Sequence, residues 1–96
     1  MFGLIGSFKC AAGRRSELAA ILLSDVGAMP GCKTYIVGED PADQDTLWVT
    51  EVWDNQASHK ASLELPAVKA AIAKAMPLIK GFGEHRELKI LGGHGL

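Results

Sequence analysis

Apolar and polar positions alternate with period two over four stretches of the chain and recur at helical spacing between them, which predicts strands and helices in a definite order. Phe2 to Cys10 divides into a row of Phe2, Leu4, Phe8 and Cys10 and a row of Gly3, Ile5, Ser7 and Lys9. Small residues in a strand mark a bulge or leave room for another group, and Gly3 and Gly6 are read as one or the other. From Arg14 to Ala28, Leu18, Ile21, Leu22 and Val26 form an apolar helix stripe. Gly27 and Met29-Pro30-Gly31 then supply stop and turn signals. Cys32 to Glu39 predicts a second strand, with Tyr35 and Val37 opposite Thr34 and Ile36. The third strand has Leu47, Val49, Glu51 and Trp53 in one row and Trp48, Thr50 and Val52 in the other. Asp54 and Asn55 break it and offer N-cap oxygens to a helix that carries His59 in its first turns. Pro66 starts a new helix or kinks this one. Val68, Ile72, Ala75, Met76 and Ile79 make the next apolar stripe, with Met76 read as core, and Pro77 and Gly81 end it. Phe82 to Leu91 is the last strand, with Glu84, Arg86, Leu88 and Ile90 in one row, and residues 92–96 form a flexible tail.

Strand, helix, strand, strand, helix, strand is the order of a ferredoxin-like βαββαβ fold of the α+β class, with a four-stranded antiparallel sheet and both helices on one side. Residues 1–96 are expected to form one domain. Trp48 is read as packing beneath the helices. Two helices cover one sheet face only, yet Ile5, Leu47, Val49 and Trp53, or the row opposite them, leave the second face too apolar for water. A second subunit is the expected cover, making a homodimer.

Composition narrows the function classes. A net charge of −1 across 96 residues gives no electrostatic reason to expect nucleic acid or an anionic membrane as partner. No run of roughly 18 apolar residues occurs, and the start MFGLIGSFKC lacks a basic n-region, so a cytoplasmic location is expected. Cys10 and Cys32 have neither CxxC spacing nor disulfide density and are read as reduced. Asp40, Asp43 and Asp45 read as a solvated hairpin loop. His85 and His94 have no metal-ligand spacing, and no Gly-rich nucleotide motif is present, so no flavin, haem or metal cofactor is expected.

The candidate chemistry gathers at the strand-to-helix corner. Glu51 in an apolar row has its charged form disfavoured, which suits a general base, or else it is a structural ion-pair partner of His59 or Arg86. His59 is a surface histidine or a member of the site. Trp53 is core or a cavity wall that stacks on an aromatic substrate. Arg86 steadies an oxyanion or pairs with Glu84, Glu87 or Glu51.

The stretch TEVWDNQASHKASLELPAVKAAIAKAMPLI resembles the antibiotic biosynthesis monooxygenase family of dimeric α/β barrels, including its quinol monooxygenase branch. The likeness rests on the E-x-W of Glu51 to Trp53, on the helix with His59, Ser62 and Leu63, and on the MPLI of Met76 to Ile79. It implies a small homodimer that oxidises a small aromatic quinol or phenol with O2 and without cofactor. His59 or Glu51 would be the base, with Trp53, Val49 and Arg86 against the substrate. Anthrone-oxidising relatives carry an Asn and a Trp in one row of this strand; Trp53 matches that Trp, while Val49 stands in the Asn position. Haem-degrading relatives carry a ligand His on the second helix, and no histidine occurs from Ser62 to Lys80. Other relatives isomerise small metabolites, so a proton-transfer enzyme and a non-catalytic small-ligand-binding dimer are the alternatives.

Overall fold

The computed structural model describes residues 1–24 and 29–96. The chain runs β1 (Phe2–Cys10), α1 (Arg15–Leu23), β2 (Cys32–Glu39), β3 (Thr46–Trp53), α2 (Gln56–Ser62), α3 (Pro66–Ala75), a 3-10 turn (Met76–Leu78) and β4 (Ile79–Lys89). The end of the first predicted helix, with Val26, Gly27 and Ala28, lies outside the described residues. The four strands form an antiparallel sheet in the order β2-β3-β1-β4. This is an α+β, ferredoxin-like arrangement, in which Pro66 starts a new helix, one of the two options it offered, so that two helices follow β3. Pro66 causes the break: it sits in the first turn of α3, where its missing N–H is not needed, and it holds the preceding Leu65 extended at ψ 133°.

Strand register assigns each row to a face. Leu47, Val49, Glu51 and Trp53 of β3 stand opposite Phe8, Gly6, Leu4 and Phe2 of β1, and opposite Glu39, Val37, Tyr35 and Cys32 of β2. This row faces the helices, because Leu47 and Cys10 pack with Leu18, Ala75 and Leu78 in the buried core. Burying Leu18 and Leu47 completely stabilises the layer by about 1.5–3 kcal/mol each. Trp48, in the opposite row, therefore lies on the helix-free face rather than beneath the helices; its indole N–H donates to Asp40 at 2.9 Å. That face also carries Ile5 and two exposed apolar side chains, Ile36 at 58% and Leu88 at 40%. Met76 is not core either: Pro77 closes α3 into the 3-10 turn, and Met76 is 51% exposed.

A one-residue slip in β4 decides where its side chains go. His85 stands opposite Gly6 but Phe82 opposite Phe8, so three residues of β4 answer two of β1. The buried Ser7 hydroxyl accepts the Glu84 N–H at 2.9 Å inside this bulge. Gly83 is required there, since a Cβ would lie 2.2 Å from Ser7 Oγ. Gly3 has a different use: the Ile90 side chain fills the place of its Cβ.

The acidic loop between β2 and β3 is a built hairpin turn. Asp40 accepts the backbone N–H groups of Ala42 and Asp43, Arg15 donates to the Asp40 and Asp43 carbonyls, and Lys9 pairs with Asp43 at 2.6 Å. Cys10 and Cys32 are free thiols. Among the described residues no helix is long and apolar enough to cross a membrane.

Candidate functional site

The site begins at the C-terminal end of β3. Period-two alternation sets Glu51 and Trp53 in the same row, and the Trp53 indole N–H donates to Glu51 Oε1 at 3.1 Å. Trp53 is 1% exposed and Glu51 half-buried, so this bond is partly shielded from water. The chain then turns at once into α2, whose first free amide is satisfied by Asn55: its side-chain oxygen accepts the Ser58 N–H at 2.8 Å. The turn before β2 packs against this helix start. Gly31 takes φ +83°, and a Cβ there would lie 2.7 Å from Ser58. The result is that the His59 ring meets Trp53 edge-on at 5.4 Å and Phe2 at 5.8 Å between centroids.

Burial pushes the Glu51 carboxyl above its ordinary pKa; the Trp53 indole and the charges of His59 and His85 act against that shift. Glu51 thus holds its proton more tightly than a solvated carboxylate, with the His59 imidazole packed on its Trp53 partner.

Beside this cluster a cavity of about 310 Å³ opens between the sheet and helices α1 and α3. Its walls are almost wholly apolar, with Phe8, Tyr35 and Phe82 from the sheet, Ile21 and Leu22 from α1, and Val68, Ile72 and Met76 from α3 and the turn after it. Ser24 at its edge donates its hydroxyl to the Ile21 carbonyl at 2.6 Å. Tyr35 joins cavity and cluster: it lines the first and is the register partner of Glu51 in the second. Burial, with the negative charges of Glu51 and Cys32, pushes its hydroxyl up to about 12. It therefore remains a protonated donor throughout the physiological range.

The structure thus brings together Glu51, Trp53 and His59, and none of them lines the cavity. Val49 shares their row, buried between Gly6 and Val37, and does not line it either. Arg86 is placed elsewhere. It stands opposite Ile5, on the helix-free face, is exposed, and donates to the His85 carbonyl at 3.0 Å. The bulge in β4 is the reason, and His85, not Arg86, shares the row of Glu51. Sequence reasoning missed Tyr35 as a site residue. The available signals were that it is the chain's single tyrosine and that it belongs to an otherwise apolar row with Val37. Among the described residues no group of three or more His, Cys, Asp or Glu side chains is arranged to hold a metal ion.

A family model described as antibiotic biosynthesis monooxygenase matches residues 1–74. A solved structure from Chloroflexus aurantiacus J-10-fl, assigned by name to the antibiotic biosynthesis monooxygenases, is 50% identical. The match covers 97% of this chain and 95% of that one, at a TM-score of 0.94. A second so named, from Deinococcus radiodurans, is 25% identical over 97% of this chain and 95% of that one, at a TM-score of 0.80. One from Caulobacter crescentus CB15 shares the fold, with 21% identity over 95% of this chain and 90% of that one, at a TM-score of 0.84. No curated protein sequence matches the chain.

Proposed function

The chain belongs to the antibiotic biosynthesis monooxygenase family, and on that premise we propose that it is a cofactor-independent monooxygenase acting on a small aromatic phenol or quinol with O2. The observation that carries the reading is the apolar cavity of about 310 Å³ beside a proton-accepting cluster of Glu51, Trp53 and His59. Such a cavity favours an aromatic ring and excludes water, and the cluster supplies what an unactivated phenol lacks.

The chemistry starts with loss of the phenolic proton to the Glu51–His59 pair. Tyr35, opposite Glu51 and on the cavity wall, is the side chain suited to bridge the transfer. The electron-rich anion then gives one electron to O2, and the aryloxyl radical and superoxide combine at a ring carbon bearing hydrogen. Loss of that hydrogen as a proton breaks the O–O bond, leaving a carbonyl on the ring and, with two protons, releasing water. One oxygen atom enters the product and one leaves as water, and the substrate supplies every electron, so no external reductant is needed. The protein contributes deprotonation, confinement and a dry site. The active unit of this reading is a homodimer joined through the helix-free face, where Ile36 and Leu88 stand exposed.

Oxygen uptake with a panel of phenols and hydroquinones tests the proposal. The parent protein should consume O2, and Glu51→Gln or His59→Ala, whichever removes the base, should lower kcat about a hundredfold or more. His94→Ala should leave it unchanged. No uptake with any member of the panel refutes the oxidation. One observation favours a second reading: neither Glu51 nor His59 lines the cavity, which suits a small-ligand-binding dimer that turns nothing over. Binding of such phenols without O2 uptake or product would select it.

A further inference from the structure

We infer that Tyr35 is the specificity-determining residue of the apolar cavity: its hydroxyl donates the one directed hydrogen bond that an occupant receives, and so selects uncharged aromatic molecules bearing an oxygen at one end. The inference deepens the proposed function, since it rests on the substrate of that reaction entering this cavity.

Three observations carry it. First, among the described residues the side chains of the walls offer no other free directed donor. Of the lining residues only Ser24 and Tyr35 carry a hydroxyl, and that of Ser24 is turned to the Ile21 carbonyl. Second, among the described residues the Tyr35 hydroxyl makes no hydrogen bond and no buried side-chain oxygen or nitrogen is left unsatisfied, so none of them competes with an occupant for it. Third, the charges near the cavity reject an anion. No Lys, Arg or His side chain lines it among the described residues, and the group paired with Tyr35 across the strands is a carboxyl, Glu51. An anionic occupant would lose its hydration without a compensating cation. The high pKa of Tyr35 fits the same assignment, because a phenol that stays protonated keeps its hydrogen available to donate to an acceptor oxygen. Size adds a bound. A cavity of roughly 150 Å³ is enough for benzene, and this one, at about 310 Å³, has room for two or three fused rings.

The test is calorimetric titration of the full chain under anaerobic conditions, so that binding is read without turnover. The probes are 1-naphthol, 1-methoxynaphthalene, naphthalene and 1-naphthoate at pH 7. The parent protein should bind 1-naphthol at least tenfold more tightly than 1-naphthoate. Tyr35→Phe should weaken 1-naphthol and 1-methoxynaphthalene alike, by roughly two- to tenfold, the worth of one hydrogen bond. It should leave naphthalene unchanged. Ala71→Leu, which fills the cavity from α3, should weaken all the neutral probes and so locate them there. The assignment is overturned if Tyr35→Phe binds 1-naphthol like the parent, or if naphthalene loses as much as 1-naphthol. It is also overturned if only 1-naphthol and not its methyl ether is affected, if 1-naphthoate binds as well as 1-naphthol, if Ala71→Leu changes nothing, or if no probe binds. Selection by Tyr35 without oxygen uptake in air would sink the oxidation alone; oxygen uptake without selection would sink the assignment alone.

Discussion

Replacing Trp53 by Phe keeps an aromatic ring against His59 and removes one atom that matters, the indole N–H that reaches Glu51 at 3.1 Å. A hydrogen bond to a charged group contributes about 1.5–3 kcal/mol and one between neutral groups about 0.5–1.5 kcal/mol. Trp53→Phe should therefore destabilise the fold by roughly 1 kcal/mol more when Glu51 is ionised than when it is protonated. The loss of packing at a residue 1% exposed adds to both values equally and cancels in the difference. The sign follows from linkage. The folded-state pKa of Glu51 is raised, so the folded chain binds more protons than the unfolded one above the ordinary carboxylate range, and stability falls as pH rises through that window. The indole opposes this shift; without it the folded pKa climbs further and the fall is steeper. Urea unfolding followed by the fluorescence of Trp48, at pH 4 and pH 8, measures the effect. The charges of His59 and His85 also act on Glu51, so the same substitution is repeated in a Glu51→Gln background, where the pH dependence due to Glu51 should vanish. An equal cost at both pH values, or a difference that survives in the Glu51→Gln background, would refute the hydrogen bond as the link between Trp53 and Glu51.

Gly31→Ala should destabilise the protein by more than the roughly 1–2 kcal/mol of a left-handed backbone alone, because the added Cβ meets Ser58 at 2.7 Å. The movement of α2 should also shift the His59 ring signals in an NMR spectrum, and an unchanged spectrum would count against the packing described. The Asp43 carboxyl, held at about 2 chiefly by Lys9, should titrate in that range by NMR and return toward the ordinary carboxylate range in Lys9→Ala. Its contribution to folding is then present above the unfolded-state value and is lost as pH falls toward 2; an Asp43 that titrates alike in both proteins would refute the pairing. Ile36→Asp places a charge in the proposed subunit interface and should weaken association about a hundredfold or more in sedimentation experiments while leaving the monomer folded. Dimers of unchanged affinity would remove the helix-free face as the interface.

Period-two alternation alone was enough to bound β1 and β2 at Phe2–Cys10 and Cys32–Glu39, while Asp54 and Asn55 marked the start of α2 between them and Pro66 marked either a kink or the start of α3. It also put Glu51 and Trp53 in one row, and so their hydrogen bond was within reach of the residues alone. Local rules suffice for these because backbone geometry within one element depends on near neighbours. Which row faces the helices was not decidable in this way. Both rows of β3 are largely apolar, so burying either one yields similar energy, and only the packing of Leu18, Ala75 and Leu78 onto Cys10 and Leu47 broke the tie and sent Trp48 to the other side. The last strand shows the limit most sharply. Phe82 and Arg86 share a parity in sequence, yet one extra residue at the Ser7–Gly83 bulge puts them on opposite faces, removing Arg86 from Glu51 and bringing His85 into its row. A slip of one residue reverses every side chain beyond it, and the contact that sets it joins residues 77 apart in the chain. Tyr35 became visible for the same reason: its meeting with Glu51 and the cavity depends on strand pairing and on where α1 and α3 leave space, which are properties of the assembled layers.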